Sequence, residues 1–246
     1  MIVIPMAGMS SRFFKAGYDK PKYMLEAHGK SLFEYSVESF NKYFDTEKFL
    51  FIVKNVFDTE SFVQKKAEEL GIKSFHVICL EHDTRGQAET VSVGLEILAE
   101  EFEIRYESLT IFNIDTFRLG FSFPKVIDNC DGYLEVFEGE GDNWSFAEPE
   151  SSGSTRVVKT AEKNPISNLC STGLYYFKSV EVYLDAYYNY LNKPFESWEK
   201  QELYIAPLYN YLILNDFHIH YNLISESEVI FCGIPDEYMD FCAVKL

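Results

Sequence analysis

The sequence predicts an α/β fold, a mostly parallel central sheet flanked by helices with some antiparallel strands in the second half. Three observations carry that expectation. Apolar runs over residues 2–6, 49–53, 75–80 and 109–114 have the length of strands buried on both faces. Segments of helical period lie between the later runs, and small or polar residues close each run.

Taken in order, residues 2–6 form a buried strand that breaks into Ala7-Gly8-Met9-Ser10-Ser11-Arg12, a turn. The runs at 49–53 and 75–80 repeat the strand signal. Between them Asp58 or Thr59 can cap a helix whose apolar side carries Phe62, Ala67 and Leu70 and which Gly71 ends. Strand, helix and strand in that order predict a right-handed crossover. Ala88, Val91, Leu95, Leu98 and Phe102 recur every three or four residues, so 87–102 is expected to be an amphipathic helix with one face on the sheet. The strand at 109–114 ends at Asp115. In such sheets ligands sit beyond the carboxyl ends of the strands, and Gly8 and Asp115 both fall at such ends. Further strands are expected at 133–137, 156–161 and 172–177, and helices from about Val180 and Glu199. The stretch 135–150 holds six acids and no Lys or Arg, and reads as a solvated loop or hairpin.

A chain of 246 residues, 47% hydrophobic and 25% charged, supports one sizeable packed domain over 1–246. No apolar run approaches the roughly 18 residues that span a bilayer, and the apolar start has no basic leader, so a cytoplasmic protein without membrane contact is expected. Five cysteines with no C-x-x-C pair read as reduced packing residues. His218 and His220 share a strand face but have no third ligand nearby, and Tyr183, Tyr187, Tyr188 and Tyr190 sit at helical spacing and read as packing. A net charge of −17 argues against a nucleic-acid partner. The first 22 residues run the other way, with Arg12, Lys15, Lys20 and Lys22 against Asp19 alone, which suits a small anionic ligand.

Gly8-Met9-Ser10-Ser11-Arg12 is therefore the segment of most interest, together with Pro21-Lys22. Small residues after a strand can aim backbone N–H groups at a phosphate, a guanidinium can grip it bidentately, and a lysine after proline presents a point charge from a constrained backbone. An ordinary strand-to-helix turn with solvent-facing charges would show the same loop taken alone. The pair resembles the sugar-phosphate nucleotidyltransferase family, whose first strand ends in a Gly-x-Gly-Thr-Arg-like loop with a downstream Pro-Lys. Four further stretches match in order: Thr84-Arg85-Gly86-Gln87-Ala88, Asn113-Ile114-Asp115, Glu162-Lys163-Asn164-Pro165 with Ser167-Asn168 through Gly173-Leu174-Tyr175, and Gly233-Ile234-Pro235-Asp236-Glu237-Tyr238.

The resemblance implies a Rossmann-like, GT-A-like sheet and transfer of NMP from an NTP to a phosphorylated small acceptor, a sugar phosphate foremost, with release of pyrophosphate. It implies Arg12, Lys22 and Asp115 as the catalytic residues, Mg²⁺ on Asp115, and a nucleotide site from Ala7, Gly8, Met9, Ser10, Ser11, Gly86 and Gln87. Glu162, Lys163, Asn168 and Gly173 are implied at the acceptor, with Lys163 on its phosphate. Nucleotide-sugar and polysaccharide biosynthesis is the setting such enzymes serve. The Ser-Ser-Arg-Phe form is also similar to cytidylyltransferases acting on phosphocholine or similar acceptors, which leaves the nucleotide open with CTP favoured. The chain departs from the family where a second metal-binding aspartate is usual, since Phe231 stands there. Another carboxylate replaces it, with Glu228 and Glu226 nearest in sequence, or the alignment slips, or metal is held differently. Two other readings compete. A GT-A-type glycosyltransferase would want two aspartates where Asn113 and Asp115 stand, and a nucleotide or sugar-phosphate sensor would keep the pocket without turnover.

Overall fold

The computed structural model describes residues 1–244. In chain order the first half holds β1 (Ile2–Pro5), α1 (Ser11–Lys15), β2 (Glu26–Ala27), β3 (Lys30–Ser31), α2 (Leu32–Glu38), β4 (Lys48–Lys54), α3 (Thr59–Leu70), β5 (Ser74–Leu80), α4 (Gln87–Ala99), β6 (Leu109–Phe112) and β7 (Thr116–Arg118). The second half holds β8 (Gly132–Glu138), β9 (Ser145–Pro149), β10 (Val157–Glu162), β11 (Leu169–Phe177), α5 (Val180–Leu191), α6 (Tyr209–Leu214), β12 (Ile219–Leu223), β13 (Val229–Phe231) and α7 (Pro235–Ala243).

A nine-stranded sheet runs β10-β9-β11-β6-β1-β4-β5, with β8 on β11 and β12 on β8. Strands β6, β1, β4 and β5 are mutually parallel, and β11 and β8 enter antiparallel, so the expected α/β sheet with an antiparallel second half is what the chain builds. From β1 the chain steps out to β4 and β5, then returns to place β6 on the other side of β1. That reversal opens a crevice at the carboxyl ends of β1 and β6. Pairing of Ile2 with Thr110 and Val3 with Ile111 brings those two ends level.

Alternation along the strands divides the core. Val3, Leu50, Ile52 and Ile111 pack under α4, α5 and α6, whereas Ile2, Ile4, Phe49 and Phe51 face α2 and α3. Ser31 caps α2 reciprocally, its Oγ accepting from the Glu34 N–H at 3.3 Å while Glu34 Oε2 accepts from the Ser31 N–H at 2.8 Å. Gly71 ends α3 in the left-handed conformation (φ 81°), as expected. Tyr183, Tyr187 and Tyr190 are buried packing residues and Tyr188 is exposed. Cys130, Cys170 and Cys232 are buried, and all five cysteines are free. No helix among the described residues is long and apolar enough to cross a membrane.

Three local expectations are corrected. The helix α4 stops at Ala99, and Phe102 lies half in solvent against His76 (ring centroids 4.7 Å apart), so its helical spacing has no core to meet. No α-helix starts at Glu199. Lys200 and Gln201 take left-handed backbone conformations (φ 53° and 60°), and the α-helix forms only at Tyr209, after Pro207, which has no N–H to donate. The acidic stretch 135–150 is neither a solvated loop nor a hairpin: it spans β8, a connection and β9, two strands that each pair with β11 and not with each other, and Glu135 is buried.

Glu135 Oε1 accepts from Arg118 Nε at 2.8 Å, and both side chains are almost fully buried. Burial pushes the Glu135 carboxyl upward while the Arg118 guanidinium and Thr172 hydroxyl pull it down. Arg118 Nη1 also donates to the carbonyls of Leu119 and Glu228, so it ties the β7–β13 ribbon to the main sheet. Arg118→Met leaves a buried carboxylate without its partner and is expected to lower the unfolding free energy by about 3 kcal/mol in urea denaturation. A loss below about 1 kcal/mol would show that the pair is not what holds the ribbon.

Candidate active site

The crevice predicted by the strand order is a cavity of about 810 Å³. One wall is the turn after β1. Phe13, 1% exposed, anchors the short α1 in an apolar cluster with Phe117 and Phe241, which leaves Ser10, Ser11 and Arg12 to line the cavity. Ser10 is left-handed (φ 49°), and its Oγ accepts from the Lys22 N–H at 3.1 Å. The phosphate-loop candidate and the Pro-Lys segment are thereby joined through one hydrogen bond. Tyr23, buried and bonded to Thr59 Oγ1 at 2.9 Å, fixes the residue after Lys22.

Asp115 lies just past β6, on the turn into β7. Its carbonyl accepts from the Cys232 N–H at 2.8 Å, so the ribbon holds its backbone. Lys22 Nζ donates to Asp115 Oδ2 at 2.5 Å. Arg12 lines the same cavity, so the opening turn and the strand-end carboxylate converge on one space. Asn113, which also lines the cavity, accepts on Oδ1 from Gln87 Nε2 at 2.5 Å, joining the start of α4 to the end of β6.

The opposite wall comes from the antiparallel half. Glu162, Gly173, Ser171, Thr172 and Tyr175 line it, with Trp144 from the β8–β9 turn and Phe231. The Trp144 and Phe231 rings are 4.8 Å apart. Burial pushes the Glu162 carboxyl upward, the Ser145 hydroxyl donated to it opposes this, and Lys163 adds to that opposition.

Several residues singled out by sequence lie outside the lining. Ala7 packs on the core, Gly8 is exposed with nothing within 4 Å of where a Cβ would stand, and Met9 takes the Lys54 ammonium on its sulfur at 3.4 Å. Gly86 abuts backbone rather than the cavity. A Cβ there would sit 2.6 Å from the Leu203 nitrogen, and the Leu203 N–H and C=O bond Arg85 and Ala88 on either side of it. Asn168 faces Glu138 at 3.5 Å, and Lys163 donates to Tyr204 Oη at 2.6 Å. Glu228 also stands away from the cavity, its carboxylate accepting from the Ser225 N–H at 2.9 Å and pairing with Arg118 at 3.4 Å. Phe231 lines the cavity as an apolar wall.

Sequence reading missed Glu237, Trp144 and Tyr204, all of which line the cavity. For Glu237 the available signal was an acid two residues past a helix-starting proline, which reads as capping. It does cap: Oε2 accepts from the N–H groups of Gly233 (2.8 Å) and Ile234 (3.2 Å). A Cβ on Gly233 would sit 3.0 Å from Asp115 Oδ2 and 3.6 Å from Glu237 Oε2, so the glycine keeps open the space between two carboxylates.

A cationic turn, a lysine and a strand-end carboxylate meeting at the switch point of a mostly parallel sheet define a nucleotide-handling transferase. Comparison with solved structures agrees. The chain superposes on a nucleoside-diphosphate-sugar pyrophosphorylase from Vibrio cholerae RC9 with a TM-score of 0.97 and 63% identity, covering 99% of this chain and 100% of that one. The chain belongs to the sugar-phosphate nucleotidyltransferase family. It is a nucleotidyltransferase, which sets aside the glycosyltransferase and sensor readings. Two more distant structures share the fold: an inositol-1-phosphate CTP transferase from T. maritima (TM-score 0.73, 15% identity, 98% of this chain and 96% of that one) and a UDP-glucose pyrophosphorylase from Acinetobacter baumannii (0.71, 15%, 98% and 91%). No protein-family model matches the chain, and comparison with curated proteins returns no match.

Proposed function

We propose that the chain transfers NMP from an NTP, with CTP favoured, to a sugar phosphate or similar small phosphorylated acceptor in the cavity between the β1 turn and the antiparallel wall. An acceptor phosphate oxygen attacks the α-phosphorus, the bond from that phosphorus to the bridging β-oxygen breaks, and pyrophosphate leaves. The observation that carries the reading is the convergence of Arg12, Lys22 and Asp115 on one cavity, with Lys22 Nζ 2.5 Å from Asp115 Oδ2. A protein located in the cytoplasm and serving nucleotide-sugar or polysaccharide synthesis fits that chemistry.

In-line attack brings two anions together, so this chain's work is to neutralise and align them rather than to supply a nucleophile. Ser10 and Ser11 begin a turn that can hold the triphosphate, with Arg12 placed for the departing pyrophosphate. Lys22, tethered through its N–H to Ser10, sits where its ammonium can follow charge developing on the α-phosphoryl oxygens. Gln87, oriented by Asn113, is the side chain nearest the start of α4 that can read a base.

The donor set fits Mg²⁺. No group of three or more His, Cys, Asp or Glu that could hold a metal occurs among the described residues. Mg²⁺ asks for less, commonly one or two carboxylates completed by substrate phosphates and water. Asp115 and Glu237 across the space at Gly233 offer those two, and Lys22 balances Asp115 there. When bound, the ion would supply charge neutralisation between phosphate oxygens.

Incubation with Mg²⁺, each NTP and a panel of sugar 1-phosphates, inositol phosphate and phosphocholine is expected to release pyrophosphate for at least one pair, fastest with CTP. Folded protein that stays silent across the whole panel would overturn the reading, and a higher rate with another NTP would overturn the nucleotide preference alone.

A further inference from the structure

The lysine that the family resemblance assigns to the acceptor phosphate does not reach the cavity. Lys163 sits at a left-handed backbone position (φ 51°), and its N–H is held by the Trp144 carbonyl at 2.8 Å. Its ammonium lies 2.6 Å from Tyr204 Oη and 4.6 Å from the centre of that ring. Tyr204 is a wall of the cavity beside Glu162 and Ile205. Between the lysine and the substrate space there is thus a phenol.

Tyr204 is not on a loose loop. Its neighbour Leu203 donates its N–H to the Arg85 carbonyl at 3.0 Å and accepts from the Ala88 N–H at 2.8 Å, a bridge that closes only because Gly86 has no Cβ. Gln87, the residue between, faces the cavity from the same bridge. On the other side, Lys163 follows directly on Glu162 at the end of β10. Tyr204 therefore stands where the segment carrying Gln87 and the antiparallel wall meet, between the sides of the cavity proposed for the nucleotide and the acceptor.

We propose that Tyr204 is an acceptor-binding residue of this enzyme: its hydroxyl donates to the acceptor phosphate while accepting from the Lys163 ammonium, so that Lys163 acts on the acceptor through Tyr204. A phenol that accepts from an ammonium is a stronger donor at its own proton. Burial, a hydrogen bond to the Glu202 carboxylate and the Glu162 charge hold the Tyr204 phenol above its ordinary range, so it stays protonated, and the acceptor phosphate takes over from Glu202 as the partner of that proton. Lys163 is the charge behind the hydrogen bond, a positioning and polarising residue rather than a direct contact.

This inference rests on the nucleotidyltransferase reading, and the test separates the two. Acceptor binding is followed by calorimetric titration of each member of the panel into protein saturated with a non-hydrolysable CTP analogue, and turnover by pyrophosphate release. Tyr204→Phe and Lys163→Met are each expected to weaken acceptor affinity and raise the acceptor KM by about tenfold, leaving affinity for the CTP analogue within about twofold, as loss of one charge-assisted hydrogen bond requires. The double variant is expected to lose no more than either alone, because the two changes break one chain of contacts. Lys163→Arg, which keeps the charge, restores most of the loss; a purely structural role for the lysine would show no such split between acceptor and nucleotide. Losses that multiply to about a hundredfold in the double variant would mean that Lys163 reaches the acceptor itself, and unchanged acceptor binding in Tyr204→Phe would remove Tyr204. Either result overturns the proposal while wild-type turnover upholds the parent reading. Acceptor binding that depends on Tyr204 without pyrophosphate release would do the reverse, and wild-type protein that binds no acceptor overturns both.

Discussion

Lys22→Ala is expected to lower kcat by about a thousandfold, the scale on which a cationic or hydrogen-bonding group aimed at transition-state charge contributes. Two features make this the largest single effect anticipated. Lys22 Nζ lies 2.5 Å from Asp115 Oδ2, so its charge stands beside the carboxylate proposed to hold Mg²⁺. Its backbone N–H bonds Ser10 Oγ at 3.1 Å, so its position is tied to the turn that would receive the triphosphate. That tether is a main-chain contact and survives the substitution. The fold is expected to survive as well: both partners of the ion pair retain some solvent contact, and such a pair contributes about 1 kcal/mol or less. Single-turnover measurements at saturating NTP read the effect directly, with thermal melting as the control. A variant that folds, binds NTP and turns over near the wild-type rate removes Lys22 from the mechanism.

The second large effect concerns the two carboxylates beside Gly233. Asp115→Asn is expected to reduce turnover by about a hundredfold or more, and excess chelator is expected to abolish wild-type turnover until Mg²⁺ is restored. Glu237→Gln is the more informative change. A glutamine side-chain oxygen can still accept from the Gly233 and Ile234 N–H groups, which lie 2.8 and 3.2 Å from the native Oε2, so the start of α7 keeps its cap. If Glu237 serves as the second carboxylate, the variant needs about tenfold more Mg²⁺ for half-maximal rate while its melting temperature barely moves. An unchanged Mg²⁺ requirement would reduce Glu237 to a helix cap and leave Asp115 with the substrate phosphates as the whole site.

The distance between slot 231 and slot 237 shows what kind of information a sequence holds. Motif order placed a second carboxylate near Phe231, and Glu228 and Glu226 were nearest along the chain. In the folded protein Glu228 pairs with Arg118, and Phe231 pairs with Thr116 across the ribbon while its ring meets Trp144. Glu237 arrives instead from the first turn of α7, because that turn folds back over Gly233. On the proposed reading, in which Glu237 faces Asp115, proximity along the chain is the wrong measure. Lys163 illustrates a different limit. Its residue type and place in the motif were legible, but a left-handed backbone angle sends its ammonium to Tyr204, and no neighbouring residue type announces that angle. The misplaced helix at Glu199 has the same origin, in the left-handed pair Lys200 and Gln201.

By itself the sequence determined the strand-and-helix alternation, the carboxyl-end location of the cavity, and the β1 turn, Lys22 and Asp115 as residues that line it. These are legible because burial on both sheet faces is written locally, residue by residue, as unbroken apolar runs, and because the runs end where the chain must turn polar. Tertiary structure alone decided that three further side chains enter the cavity: Tyr204 through the Leu203 bridge, Trp144 from the connection between β8 and β9, and Glu237 across Gly233 from Asp115. Convergence of that kind depends on strand register, backbone handedness and the missing Cβ atoms that let segments approach, and these are properties of pairs of distant segments rather than of any one stretch of chain.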